Sequence, residues 1–158
     1  MFRFQDYAAT ATVEAAKEAF TYAKKIPADK LNWVPAGQAR CALDLCRELA
    51  MTPTWGVESI EDKPMDFSEE AMAKMKEEQS KWTTVEQCEA ECNKRLEKLV
   101  EVYKAIPDET LQAKRSLPFG NKEFTVAEMM EYARWNFAYH QGQLAYIQTL
   151  YGDMETYF

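Results

Sequence analysis

The scarcity of chain breakers constrains this sequence more than any other feature. Glycine occurs five times and proline six times in 158 residues, and neither occurs between Pro64 and Pro107. Many short strands would need frequent turns, so long stretches without a breaker favour helices. The composition fits a folded chain: 47% hydrophobic and 28% charged residues is a globular balance rather than a disordered one. A chain of this length is expected to form one domain over residues 1–158, with a core that needs no staple.

Apolar spacing predicts four helical segments. The first runs from about Arg3 to Lys25, with Phe4, Ala8, Ala11, Ala15, Tyr22 and Ile26 at the three- and four-residue steps of one helix face. Ile26-Pro27 ends it, because a residue before proline is pushed out of the helical region. The second runs from about Gln38 to Met51, entered by the Pro35-Ala36-Gly37 turn and closed by Thr52-Pro53, with Ala42, Leu45 and Leu49 on its apolar side. A loop carrying Pro53, Gly56 and Pro64 follows. The third is read as one long helix from about Ser68 to Ala105. Ser68 is its N-cap, Glu69 and Glu70 sit in its first turn, and Thr83-Thr84 loosens its middle. Its seam is Ala71, Met75, Trp82, Val85, Cys92, Leu96, Leu99 and Tyr103. The fourth runs from about Thr125 to Tyr151. Thr125 with Glu128 forms a capping box, and Gly152 marks the stop. Met129, Ala133, Asn136, His140, Leu144 and Ile147 make one stripe with two polar members at its centre.

The first and third segments end alike, on Tyr22-Ala-Lys-Lys-Ile26-Pro27 and Tyr103-Lys-Ala-Ile106-Pro107. An acidic residue, a leucine and a Pro-x-Gly turn follow each: Pro35-Ala36-Gly37 and Pro118-Phe119-Gly120. The chain therefore reads as two helix–loop–helix halves, which bury their faces best as an all-α four-helix bundle.

Charge and leader signals narrow the function classes. Nineteen basic and 26 acidic residues give a net charge of −7. That charge opposes binding to a phosphate backbone, and no nucleic-acid partner is expected. Met1 to Asp6 shows no basic region followed by an apolar run, so a cytoplasmic location is expected. The stretch from Trp135 to Gly152 has no Asp, Glu, Lys or Arg, but it holds Asn136, His140, Gln141, Gln143 and Gln148. It is a poor membrane span and is read as the most buried helix. Cys41, Cys46, Cys88 and Cys92 are expected to be reduced, buried thiols.

Three segments carry a family resemblance. They are Ile26-Pro27-Ala-Asp-Lys-Leu31-Asn-Trp33, the Pro-x-Gly turn into the second helix, and Trp135-Asn136-Phe-Ala-Tyr139-His140-Gln141-Gly142-Gln143-Leu144. With their arrangement along the chain, they resemble the DinB-like superfamily. The resemblance implies a bundle of up-down-down-up connectivity, often homodimeric. It also implies a divalent metal such as zinc or nickel held by three histidines, and in some relatives a thiol-dependent transferase or isomerase activity. This chain departs from that pattern, since His140 is its one histidine. Asn136 stands one turn earlier, where the first histidine of the hallmark belongs, and Glu48 falls at the position implied in the second helix. The implied metal set is then Glu48, Asn136 and His140.

Asn136 and His140 lie at i and i+4 and project from one face. A glutamate from the second helix would complete a three-ligand set open to water, with imidazole and carboxylate suited to zinc or a neighbouring first-row metal. Asn is a weak donor for such metals. The alternative is a metal-free polar cluster in which Glu48 and His140 share a hydrogen bond and Asn136 satisfies the rest. Asp44, one turn before Glu48, is either half of a carboxylate pair or an exposed partner of Arg40 or Arg47. Tyr132, Tyr139 and Gln143 either line a pocket beside His140 or serve as core or dimer contacts. Trp33, Trp55, Trp82 and Trp135 are expected to be packing anchors. No phosphate loop, Cys–His pair or Ser–His–Asp order can be built, and no catalytic residue or cofactor site is assigned. Two function classes stay open: a metal- or thiol-dependent enzyme with an altered site, and a non-catalytic binding or stress-related bundle that kept the fold. An aromatic content of 13% adds an expectation of a homodimer, and a small-molecule ligand is compatible with either class.

Overall fold

The computed structural model describes residues 2–61, 66–116 and 122–157. They are mostly helical, with one two-stranded sheet. The long helices are α1 (Phe4–Ala23), α2 (Ala42–Ile60), α4 (Val85–Ala105) and α6 (Tyr132–Leu150), with the shorter α3 (Glu69–Ser80) and α5 (Val126–Met130) between them. Strands β1 (Lys114–Ser116) and β2 (Glu123–Thr125) pair antiparallel, with Arg115 opposite Phe124. The spacing of apolar residues had not revealed this hairpin, because strands of three residues are too short to display a period of two. No helix among the described residues is long and apolar enough to cross a membrane.

Three of the predicted segments change. The fourth is not one helix but breaks at Glu131 into α5 and α6. The second helix starts at Ala42 rather than Gln38 and runs through Pro53 to Ile60. Proline disfavours a helical residue before it, but Met51, Thr52, Pro53 and Gly56 are all buried, and their packing overrides the local preference. The third segment is two helices. Ser68 caps α3 as expected, its Oγ accepting from Ala71 N at 3.2 Å. The chain then breaks at Lys81–Thr84, and Thr84 opens α4 with a capping box to Gln87. Helix α3 buries no residue, so Ala71 and Met75 are not part of a continuous seam; the buried seam is Trp82, Val85, Cys88, Cys92, Leu96, Leu99 and Tyr103. The Thr125–Glu128 capping box is present, and Gly152 adopts φ 95°, where a residue without a Cβ ends the helix at no steric cost.

Side-chain contacts fix the helix directions. Gln5, at the start of α1, donates to Ile106 O at 2.9 Å beyond the end of α4, while Lys24 meets Glu89 at 2.8 Å. These two helices are therefore antiparallel. Tyr7 accepts from Arg134 at 3.2 Å, and the Tyr22 and Tyr157 rings lie 5.7 Å apart, so α1 and α6 run parallel. Arg47 Nε donates to Trp82 O at 3.0 Å, and Gly56 faces Leu99 and Tyr103, so α2 and α4 are also parallel. Buried side chains from α1, α2, α4, α5 and α6 form one contiguous cluster. The alanines Ala8, Ala9, Ala16, Ala19 and Ala23 line the α1 side of it and allow close helix approach.

The internal echo has a structural counterpart. Pro27 and Pro107 each lead into a single 3-10 turn, Ala28–Lys30 and Asp108–Thr110. The leucine after each turn then accepts a hydrogen bond from the helix that follows: Leu43 N donates to Leu31 O at 3.0 Å, and Ala127 N to Leu111 O at 3.0 Å. The Pro118-Phe119-Gly120 turn and Pro64 lie outside the described residues.

Candidate functional site

The predicted stripe is buried at all six positions: Met129 on α5, and Ala133, Asn136, His140, Leu144 and Ile147 on α6. Its two polar members face α2. His140 Nε2 lies 2.8 Å from Glu48 Oε1, and Asn136 Nδ2 donates to Thr52 Oγ1 at 2.8 Å. Thr52 Oγ1 in turn donates to Glu48 O at 3.1 Å. The two pairs form rungs one turn apart on each helix, so α2 and α6 are antiparallel here. Thr52 was not picked out from the sequence, although it stands one turn after Glu48 just as Asn136 stands one turn before His140.

Arg40 completes the cluster from the segment before α2. Its guanidinium donates to the second carboxylate oxygen of Glu48 and, at 2.7 Å, to Asp44 O. Glu48 is therefore held between an imidazole and a guanidinium. Burial pushes its carboxyl up, but the hydrogen bonds from His140 and Arg40 outweigh burial and hold it at about 2. A carboxylate in that state only accepts, so the proton in the His140–Glu48 bond sits on Nε2. Nδ1 lies 2.6 Å from Gln143 Oε1. The amide accepts from a doubly protonated ring or, turned over, donates to a neutral one. The side chain of His140 is 4% exposed and that of Glu48 is 26% exposed, so the pair is reached from solvent on the Glu48 side.

The other candidates fall into place around this pair. Asp44 takes Arg47 NH1 at 2.9 Å rather than pairing with Glu48. The Tyr139 ring meets His140 edge-on at 5.1 Å. Burial, and then the charge of Glu48, raise the Tyr132 hydroxyl above its usual range. Trp82 is buried and Trp33 and Trp55 pack partly buried against the core. Trp135, however, is 58% exposed, so α6 has one buried face and one open aromatic face. All four cysteines are buried and free. Burial raises each thiol above its usual range, Cys88 to about 11, which leaves them protonated and inert.

Glu48, Asn136 and His140 do come together, but their donor atoms are already committed. His140 Nε2 is spent on Glu48, the other oxygen of Glu48 is spent on Arg40, and Asn136 presents an N–H to Thr52. A dication here would have to displace both bonds of the carboxylate and sit beside a guanidinium. Among the described residues no group of three His, Cys, Asp or Glu side chains is placed to hold a metal. The donor set does not fit zinc or nickel. Among the described residues His140 bonds no hydroxyl or thiol, so the geometry builds no activated nucleophile.

A cleft of roughly 650 Å³ opens from this cluster between α2 and α3. Arg40 and Glu48 lie at one end, and Met51, Trp55, Phe67, Met72 and Met75 line it. No protein-family model matches the chain, and no curated protein matches it.

Proposed function

We propose that this chain is a four-helix bundle of DinB-like type, with up-down-down-up connectivity, whose metal centre has been replaced by a salt-bridged polar cluster, and that it acts as a binding protein rather than a metal-dependent enzyme. The helix directions support the connectivity: α1 and α6 run one way, α2 and α4 the other. One observation carries the functional reading. Arg40 neutralises the carboxylate that a metal would need and His140 holds its other oxygen by a hydrogen bond, so the positive charge beside it is supplied by the chain itself.

Metal analysis of freshly purified protein tests this. The expected result is far less than one zinc or nickel per chain, with no uptake on titration. Stoichiometric metal that disappears in His140→Ala would instead favour a metal-dependent enzyme of the thiol-transferase or isomerase kind, with Glu48, Asn136 and His140 as ligands.

The reading includes a homodimer. Phe2, Tyr7, Trp135 and Tyr139 are exposed, and the Trp135 and Tyr139 rings stack at 5.3 Å. Aromatic side chains of this kind are enriched at interfaces. Sedimentation equilibrium at micromolar concentration is expected to give the dimer mass; a monomer throughout removes this part of the proposal.

A further inference from the structure

A second cleft, of roughly 690 Å³, lies on the far side of Arg40 between the segment Pro35–Arg40 and α6. Leu45, Tyr139, Gly142, Gln143 and Tyr146 are among its lining residues, and among the described residues Arg40 is the one charged side chain that lines it. The α2–α3 cleft, by contrast, is lined by Glu48, Glu58, Asp66 and Glu78 as well as by cations. A guanidinium in an apolar and aromatic cleft, paired with Glu48 yet 44% exposed, offers a local contact for a small monoanion.

Three further features point the same way. A guanidinium carries five N–H donors, and Arg40 gives one to the Glu48 carboxylate and one to Asp44 O; its side chain is 44% exposed, so donors remain for a ligand. Gln143 lines the cleft, and in the orientation in which its oxygen accepts from His140 its amide nitrogen has no protein partner among the described residues. Gly142 sits in the middle of α6, where glycine is unfavourable by about 0.5–1 kcal/mol relative to alanine. Packing does not demand it, since a Cβ built there meets nothing within 4 Å. What its missing side chain does is keep the floor of the cleft open.

We propose that this cleft binds a small aromatic monocarboxylate. Its carboxylate would be received by Arg40 and the Gln143 amide, and its ring would lie over Gly142 between Tyr139 and Tyr146. A phosphate dianion is a poorer match, because one guanidinium already shared with Glu48 supplies too little positive charge. The inference rests on the reading of a metal-free binding protein and gives that protein a ligand class.

The probe is 2-naphthoate, titrated calorimetrically with its neutral isostere 2-naphthylmethanol as control, in the presence and absence of a chelator. Wild-type protein is expected to bind naphthoate more tightly than the alcohol. Arg40→Gln should weaken naphthoate about tenfold or more, the loss of one charge-assisted contact, and leave the alcohol unchanged. Gly142→Phe fills the floor and should abolish both while thermal unfolding stays intact. Naphthoate that does not bind at millimolar concentration, or binds Arg40→Gln or Gly142→Phe as it binds wild type, overturns the inference. So does a Gly142→Phe protein that turns from dimer to monomer, which would make the cleft a contact with a second copy. Binding that the chelator abolishes overturns instead the metal-free reading beneath it.

Discussion

Helix α2 meets its two principal neighbours by different means. Against α4 the contact is apolar and close. Cys46 and Cys88 are buried near its start, and Gly56 lets Leu99 approach so near that a Cβ there would lie 2.7 Å from Leu99 Cδ1. Against α6 the middle of the contact is polar, built from the Glu48–His140 and Thr52–Asn136 rungs. The first seam can hold the helices together by area alone, since burying a leucine is worth about 1.5–3 kcal/mol. The second gains little from burial, because each polar group must recover its hydration through a partner. The two seams therefore hold α2 by different physics, one by area and the other by matched polar partners.

The largest effect that separates the seams is expected at Leu99. Leu99→Ala should destabilise by about 2–5 kcal/mol, as for a fully buried leucine leaving a cavity, measured by urea unfolding. A loss smaller than that of His140→Ala would erase the contrast. Acid comes next. Glu48 has a folded pKa of about 2 against an ordinary 4.5, so the unfolded chain takes up the proton first. The stability it contributes, roughly 3 kcal/mol at most, is fully present above about pH 4.5 and is lost as the pH falls towards 2. Unfolding curves across that range should therefore be flatter for Glu48→Gln than for wild type; identical curves would mean that the carboxylate is not held as described. His140→Ala follows, with an expected loss of about 1–3 kcal/mol for leaving a buried partner unsatisfied. In a double-mutant cycle it should couple to Glu48→Gln by more than about 0.5 kcal/mol, and strict additivity would dissolve the pair. The smallest effect is expected at Gly142, outside both seams, with Gly56 inside the first as its control. Gly142→Ala should stabilise by about 0.5–1 kcal/mol, whereas Gly56→Ala should destabilise. Opposite signs in thermal unfolding mark where close packing ends.

Much of the frame was legible because helix periodicity is a local signal. The α6 stripe could be read position by position, and the Ser68 and Thr125 caps announced themselves by residue type. The Glu48–His140 contact was also reachable, since a buried imidazole in an apolar stripe requires a partner. Arg40 was not. It lies before the helix, eight residues from Glu48 in sequence, and nothing in its neighbourhood distinguishes it from an ordinary surface arginine. Without it the carboxylate looked available to a metal. The passage of α2 through Pro53 and the break at Lys81–Thr84 were misread for complementary reasons. Tertiary burial overrode a local stop signal in the first case, and a capping box at Thr84 created a start that apolar spacing alone had carried through.

The helix directions also bear on how the chain comes off the ribosome. The main partners of α1 are α4 and α6, and those of α2 are the same two helices, so the first two long helices to be made do not complete each other. At about 5–20 residues per second, synthesis leaves α1 waiting several seconds for α6, although a helix itself forms within about a microsecond. The face left uncovered during that wait carries Ala8, Ala9, Ala16, Ala19 and Ala23, with Phe20 and Tyr22 near its C-terminal end. The alanines expose little apolar area to a nascent chain, so Phe20 and Tyr22 are the side chains with most to gain when the last helix arrives.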